Sequence, residues 1–387
     1  MLQINKVETL VVGLMVLLIF AANPPWFLWG WSYYIVAFSS FTIFLLQFRR
    51  LNKVAHDFYG FLFLYIIAFI YFVLIKGFSE FRVSSIVFFI VLMSCYFFTQ
   101  SEKKKSIDLL VNLYSIVLGV SFFFWFIHNF LFELPFRYDL DYGGVLGKEE
   151  HRVFYHYIFF VQPQMDYIRF YSIFDEPGVV GTLSAFILYA QKYNLKKWQN
   201  LIILISSIFT FSLAFYLLTV LGMLFVYLID KRIKSMFFLI FGVFISSSFM
   251  LSIESFRFVV LDRLGSFDES LARRSGILLN EFYDEFSKSV EFFYGKPLNF
   301  LTNNRALVEG QSYKFFLIEY GVIGVFLILL LYLYFVFKSR NFFAIMLFLI
   351  FCISFIQRPF LFTPWQIMLF VMICSYLRES GFMVNKQ

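Results

Sequence analysis

Long, mainly apolar runs recur along this chain, and that recurrence sets the terms for any fold it can adopt. Twelve of them lie at approximately 8 to 22, 30 to 47, 58 to 76, 83 to 99, 107 to 130, 178 to 193, 199 to 213, 215 to 229, 236 to 253, 313 to 337, 342 to 356 and 362 to 377. A helix crosses a bilayer with roughly 20 such residues. Phe alone fills 61 of 387 positions, only 15% of residues are charged and mean hydropathy is +0.78, so no core surrounded by water hides this much apolar surface. The bilayer is the expected solvent. Residues 199–229 form one unbroken apolar stretch. As a single helix it would run to about 46 Å, against a hydrocarbon core of about 30 Å, so we divide it into two spans.

Charge then fixes orientation. With twelve spans and an inside amino terminus, the basic clusters at Arg49, Arg50 and Lys53; Lys103 to Lys105; Lys192, Lys196 and Lys197; Lys231, Arg232 and Lys234; and Lys338 and Arg340 all fall on the cytoplasmic side. Lys6, Arg378 and Lys386 bring that side to 17 basic residues, whereas the short outer loops hold only Lys76, Arg82 and Arg358. This is the positive-inside pattern. The net +7 is thus a sign of topology, and nucleic acid is not an implied partner. The expected architecture is an all-α polytopic membrane protein with both termini cytoplasmic. Its parts are a five-helix region over 1–130, a large outer loop over 131–176, spans six to nine within 177–253, a second outer loop over 254–311 and spans ten to twelve within 312–387.

One Lys precedes the first apolar run and Asn23-Pro24-Pro25-Trp26 follows it, which is not a cleavage pattern, so the first helix is expected to be retained. Cys95, Cys352 and Cys374 lie in or at the ends of spans and read as small buried residues. Neither these nor His56, His128, His151 and His156 are spaced as metal ligands, and no metal is expected.

The two outer loops are the extended polar segments, and function is expected there. The stretch from Ile277 to Phe293 places Leu278, Phe282, Phe286, Val290 and Phe293 near helical spacing, as in an amphipathic helix on the membrane or over a cavity. Arg169 lies seven residues before Glu176-Pro177-Gly178, with Pro177 suited to open a helix. Arg263, Arg273 and Arg274 lie in the second loop around Asp268 and Ser270. The planar guanidinium fork matches phosphate oxygens, so arginines from two loops suggest a diphosphate clamp. Pairing with the loops' own acids is the equally simple alternative.

Three runs carry a resemblance. Arg169-Phe-Tyr-Ser-Ile-Phe-Asp-Glu-Pro-Gly-Val-Val-Gly181 resembles the Arg, Phe, Glu-Pro-Gly segment of bacterial O-antigen polymerases and related polysaccharide polymerases. The run from Arg263 to Arg274 is similar to their Arg, Asp-x-Ser, Arg stretch. Tyr313-Lys-Phe-Phe-Leu-Ile-Glu319-Tyr-Gly321-Val-Ile-Gly324 looks like their Glu-x-Gly-x-x-Gly span. The matches cover about 169 to 325, in family order. The ligases of the same superfamily carry a His before that span, where this chain has Gly310-Gln311-Ser312, so the polymerase branch is the better match.

The resemblance implies a GT-C-like glycosyltransferase of the bacterial cytoplasmic membrane. It would join undecaprenyl-diphosphate-linked oligosaccharide repeat units on the outer face, with no cofactor or metal, alongside a flippase and a chain-length regulator. The diphosphate would be held by Arg169, Arg263 and Arg273 or Arg274. Candidate bases are Asp175, Glu176 and Asp268, with Glu176 equally suited to orient Arg169 or to face the positive end of the following helix. Glu319 and Tyr313 are supporting residues, and Glu319, an acid inside the membrane, calls for a buried partner such as an arginine from the outer loops. Tyr155, Tyr157 and Tyr171 suit either sugar stacking or the interfacial aromatic belt. The rival readings are a ligase-type glycan transferase and a lipid-linked oligosaccharide flippase or transporter.

Overall fold

A computed structural model describes residues 2–50, 57–76, 83–135, 138–141, 153–163, 168–230, 277–304, 307, 312–357 and 361–382. Eleven of the twelve apolar runs coincide with helices; the twelfth, 236 to 253, lies outside the described residues. The helices are α1 (Leu2–Ala22), α2 (Ser32–Phe48), α3 (Phe58–Phe69), α4 (Val83–Phe97), α5 (Gln100–Phe130), α6 (Pro177–Ala190), α7 (Trp198–Ile208) and α8 (Leu213–Ile229). After them come α9 (Ile277–Phe286), the one-turn α10 (Glu291–Tyr294) and α11 (Phe300–Asn303), then α12 (Tyr313–Ser339), α13 (Phe342–Gln357) and α14 (Pro364–Phe382). Among the described residues three helical stretches, Phe58–Ile75, Gln100–Phe130 and Tyr313–Ser339, are long and apolar enough to cross a membrane, and several shorter apolar helices accompany them. The described chain is mainly helical, with apolar helices of the kind that an α-helical membrane protein requires.

The architecture is not purely helical. In the first long loop β1 (Tyr138–Asp141), β2 (Val153–His156) and β3 (Val161–Pro163) form an antiparallel sheet in that order. Tyr138 faces His156 across one ladder and His156 faces Val161 across the other. The strands escaped the sequence reading because each is only three or four residues long, too short to display an alternating pattern.

Two compact units divide the chain, and they are not consecutive stretches. Val12–Ser39 with Lys104–Asp262 form one; Met1–Val11, Ser40–Lys103 and Arg263–Gln387 form the other. In the first, α6 is the central helix, with every residue but Val179 buried. A helix apolar all round belongs in such a position. Gly181 lets α8 approach it, since a Cβ there would stand 2.9 Å from the Cβ atoms of Phe215 and Ser212. Residues 209–212 separate α7 from α8, as the length of the apolar stretch requires. Phe211 has a left-handed φ of +47°, and the Ser212 side chain accepts a hydrogen bond from the Phe215 amide at 3.4 Å, capping α8.

In the other unit α12 packs with α3, α13 and α14, and α4 packs with α14 and α3; Phe72, Phe88, Phe89, Phe316, Tyr320 and Phe362 gather there, with ring centroid distances such as 4.3 Å between Phe88 and Phe362. Helix α5 opens with a reciprocal cap: the Glu102 carboxylate accepts from the Thr99 amide at 2.8 Å, and the Glu102 amide donates to Thr99 Oγ1 at 3.2 Å. Fully buried Glu102 also takes both arms of Arg50, at 2.7 and 2.9 Å.

Candidate functional site

Residues 169–174 form the buried spine of the first unit. The Phe170 amide donates to the Phe209 carbonyl at 2.9 Å, the Val161 amide to the Ser172 carbonyl at 2.8 Å and the Trp26 amide to the Ile173 carbonyl at 2.8 Å. Ser172, fully buried with φ +56°, donates its hydroxyl to Ser121 Oγ at 2.9 Å. Backbone that runs through a core must have its polar groups satisfied in this way. Tyr171 packs among Trp29, Phe154 and Val161, which makes it a core residue and removes it as a sugar platform. Tyr157 stacks on Phe160 at 4.5 Å and Tyr155 is half-buried on β2.

Arg169 is buried, and two of its donors serve the turn between α7 and α8. Its Nε reaches the Thr210 carbonyl at 3.0 Å and Nη2 the Phe211 carbonyl at 3.3 Å. These carbonyls lie where α7 has ended and α8 has not begun, so no helix satisfies them. Arg169 therefore holds the turn of this helical hairpin, whatever else its remaining donors contact. Glu176 stands at the N-cap of α6 with extended backbone (φ −136°, ψ 131°), Pro177 opens the helix, and no side-chain capping bond forms. Asp175 and Glu176 are both half-buried beside the mouth of that apolar helix.

In the second unit, α12 is broken. Gly321 has φ +66° and ψ 179°, a region only glycine occupies readily. Glu319 precedes this break by two residues, in the second turn after Tyr313, and Ser312 caps the helix by accepting from the Lys314 amide at 3.3 Å. The groups freed by the break are taken up from outside the helix. The Tyr71 hydroxyl lies 2.6 Å from the Tyr320 carbonyl and 3.1 Å from that of Tyr294, and the Lys296 amide donates to the Ile318 carbonyl at 2.6 Å. Gly295, with φ +76°, meets Gly321 backbone to backbone: a Cβ on Gly295 would sit 2.6 Å from the Glu319 oxygen, and one on Gly321 2.4 Å from the Phe293 oxygen.

Charges gather at the same place. After Phe69 the chain widens into a π-helical turn over Ile70–Ile75, and Lys76 follows it. Lys76 is buried and donates to the Lys296 carbonyl at 3.1 Å. Glu291 is ion-paired with Lys296. A buried lysine from the end of α3 is thus joined to the break through Lys296; sequence reasoning had used Lys76 only to count outer charges. The available signal was its position as the first charge after Asp57, closing an apolar run. Among the described residues, no group of three or more His, Cys, Asp and Glu is placed to share a metal ion.

Helix α9 covers the start of α12. Leu279, Phe286, Leu301 and Ile318 form the cluster, with Phe282 and Tyr283 against it. The expected face is therefore rotated: Leu278, Val290 and Phe293 are exposed, and the chain turns at 287–290 because α9 ends at Phe286. Lys314 ties the two helices by donating to Asn280 Oδ1 at 2.6 Å, above the Tyr283 ring. Arg263, Asp268, Arg273 and Arg274 lie outside the described residues. Comparison with family models, with curated proteins and with solved structures gave no match.

Proposed function

We propose that the chain is a polysaccharide polymerase of the bacterial cytoplasmic membrane, transferring a growing glycan from its undecaprenyl diphosphate carrier to a hydroxyl of the next lipid-linked repeat unit. In this reading twelve spans and two outer loops keep the lipid tail in the bilayer while the sugars react outside. Arg263, Arg273 or Arg274, with any donors Arg169 has to spare, neutralise the charge that develops on the leaving diphosphate. A carboxylate among Asp175, Glu176, Asp268 and Glu319 takes the proton of the attacking hydroxyl.

The observation that carries this reading is the order Arg169…Glu176-Pro177-Gly178, Arg263…Arg274 and Glu319-x-Gly321-x-x-Gly324 in one helical membrane chain. It is supported by what becomes of the first and third runs: each sets a carboxylate at the opening or break of an apolar helix, where a spanning segment offers polar chemistry. The test is reconstitution into vesicles with lipid-linked repeat units extracted from the host membrane. Lengthened lipid-linked glycan is the expected product. Units moved across the bilayer unchanged would identify a flippase, and attachment of finished glycan to another acceptor a ligase; either result overturns the polymerase reading.

A further inference from the structure

Helix α12 ends on a residue that does not favour its conformation. Arg340 follows Ser339 with φ +50° and ψ 39°, the left-handed cap that glycine or asparagine ordinarily supplies at a helix end. The turn closes without help from its side chain. The Arg340 amide donates to the Phe337 carbonyl at 3.2 Å, the Ser339 hydroxyl to the Val336 carbonyl at 2.7 Å, and Asn341 Oδ1 accepts from the Phe343 amide at 3.1 Å to open α13. A strained arginine kept where the backbone asks for glycine points to a use for the guanidinium.

That side chain borders a cavity of about 300 Å³, lined by Val336 and Phe337 from the end of α12, Arg340 and Asn341 in the turn, and Phe342 and Ile345 from the start of α13. Arg340 is the one charged residue in this lining, and the rim is apolar: Phe337 is 69% exposed and Phe342 55%. Arg340 is also exposed, and among the described residues its guanidinium has no hydrogen bond or ion pair. Its neighbours are committed elsewhere. Lys338 stands 3.0 Å from Asp57 and over the Tyr96 ring, and the Asn341 amide group donates to the Leu377 carbonyl at 2.7 Å.

We propose that this cavity binds an anionic phospholipid such as phosphatidylglycerol, with Arg340 holding the phosphate and the acyl chains lying along Phe337, Phe342 and Ile345. The inference rests on the membrane reading of the chain and not on glycan transfer. Position favours a lipid over a soluble anion: α12 is one of the stretches long and apolar enough to cross a membrane, and Arg340 is the first residue after it, where hydrocarbon meets headgroups. Phenyl rings exposed there are covered by acyl chains at no hydrophobic cost. The guanidinium fork matches phosphate oxygens, and a headgroup without a cation of its own leaves that attraction undiluted. The negative end of α12 does not oppose it, because the Val336 and Phe337 carbonyls are already taken, and the positive end of α13 lies in the same turn.

The test uses the full-length protein in dodecyl maltoside, titrated with dioleoyl phosphatidylglycerol, dioleoyl phosphatidylcholine or inorganic phosphate. Native mass spectrometry counts bound lipid, and melting temperature is recorded alongside. Wild type should hold phosphatidylglycerol about fivefold or more tightly than phosphatidylcholine, the scale of one arginine at a membrane surface, and phosphate should neither raise the melting temperature nor displace the lipid. Arg340→Gln should remove this preference. Arg340→Gly separates binding from folding: glycine suits the left-handed turn, so the lipid-free protein should melt no lower than wild type while losing the preference as Arg340→Gln does. Lys105→Gln, which removes an exposed charge from α5, should change neither quantity. A wild-type preference retained in Arg340→Gly or Arg340→Gln, or an equal loss in Lys105→Gln, overturns the site. Phosphate that stabilises wild type as well as phosphatidylglycerol does overturns the lipid assignment in favour of a soluble anion. Elongation enters none of these outcomes, so the polymerase reading stands or falls separately.

Discussion

Replacing Gly321 by alanine should unlock the break in α12. The added Cβ would lie 2.4 Å from the Phe293 oxygen and 2.6 Å from both the Phe293 carbon and the Gly295 nitrogen. Ordinary carbon–oxygen contacts begin at about 3.3 Å, so the two backbones must part by about 1 Å. The hydrogen bond from the Lys296 amide to the Ile318 carbonyl, now 2.6 Å, would then stretch to the edge of hydrogen-bonding range, and the Tyr71 bond to the Tyr294 carbonyl, now 3.1 Å, would break. Each loss costs about 1 kcal/mol, and placing alanine in a glycine-only conformation costs about 1 to 3 kcal/mol. The sum, about 3 to 5 kcal/mol, is a large share of typical protein stability. Denaturation of the purified protein in detergent measures it. Gly60→Ala is the control, because a Cβ there has nothing within 4 Å and gains helix propensity of up to about 1 kcal/mol. Gly295→Ala should cost nearly as much as Gly321→Ala, and the double variant little more than either, since both part the same backbones. Additive losses, or a Gly321→Ala protein as stable as Gly60→Ala, would refute the interlock.

Glu102→Gln should weaken the protein by roughly 2 to 3 kcal/mol in the same assay, below the range for a fully buried pair because the Arg50 side chain keeps 31% of its exposure. Arg169→Ala should leave the Thr210 and Phe211 carbonyls without these donors and cost about 1 to 3 kcal/mol, with labelling of a cysteine introduced at residue 213 rising as the turn loosens, while Arg169→Lys should recover part of the loss. Unchanged labelling in Arg169→Ala would show that the hairpin does not depend on it. For Asp57, burial raises the carboxyl, but hydrogen bonds from Tyr96 and Lys338 outweigh it and hold the group below its ordinary value. That contribution is complete above the unfolded value of about 4 and is lost as pH falls through the lower folded value, so Asp57→Asn and wild type should differ in melting temperature at pH 7 and converge in strong acid.

How much of the site could be read in advance depends on distance along the chain. Glu176-Pro177 announces the start of α6 because proline at a first turn is a local signal, and Glu319 falls where its apolar run places it, in the second turn of α12. The arrival of Lys76 at the break was not open to reading, because it meets the Lys296 carbonyl across 220 positions of sequence. Arg169 shows the converse. As an isolated arginine in a polar loop it suggests an anion, but the chain brings it to two carbonyls 41 and 42 residues away, and part of its capacity is spent there.

The sequence by itself pointed to the bilayer as solvent and located the described apolar helices and the need for a break within 199–229, because each follows from the apolar content and length of a single stretch. Only the tertiary structure decided that 131–176 contains a sheet, that 169–174 runs through a core, and that Gly321 breaks α12 against Gly295. Those features depend on hydrogen bonds and close approaches between distant segments. A glycine with φ +66° is indistinguishable in sequence from one in an ordinary helix until the backbone that needs its missing Cβ is in place.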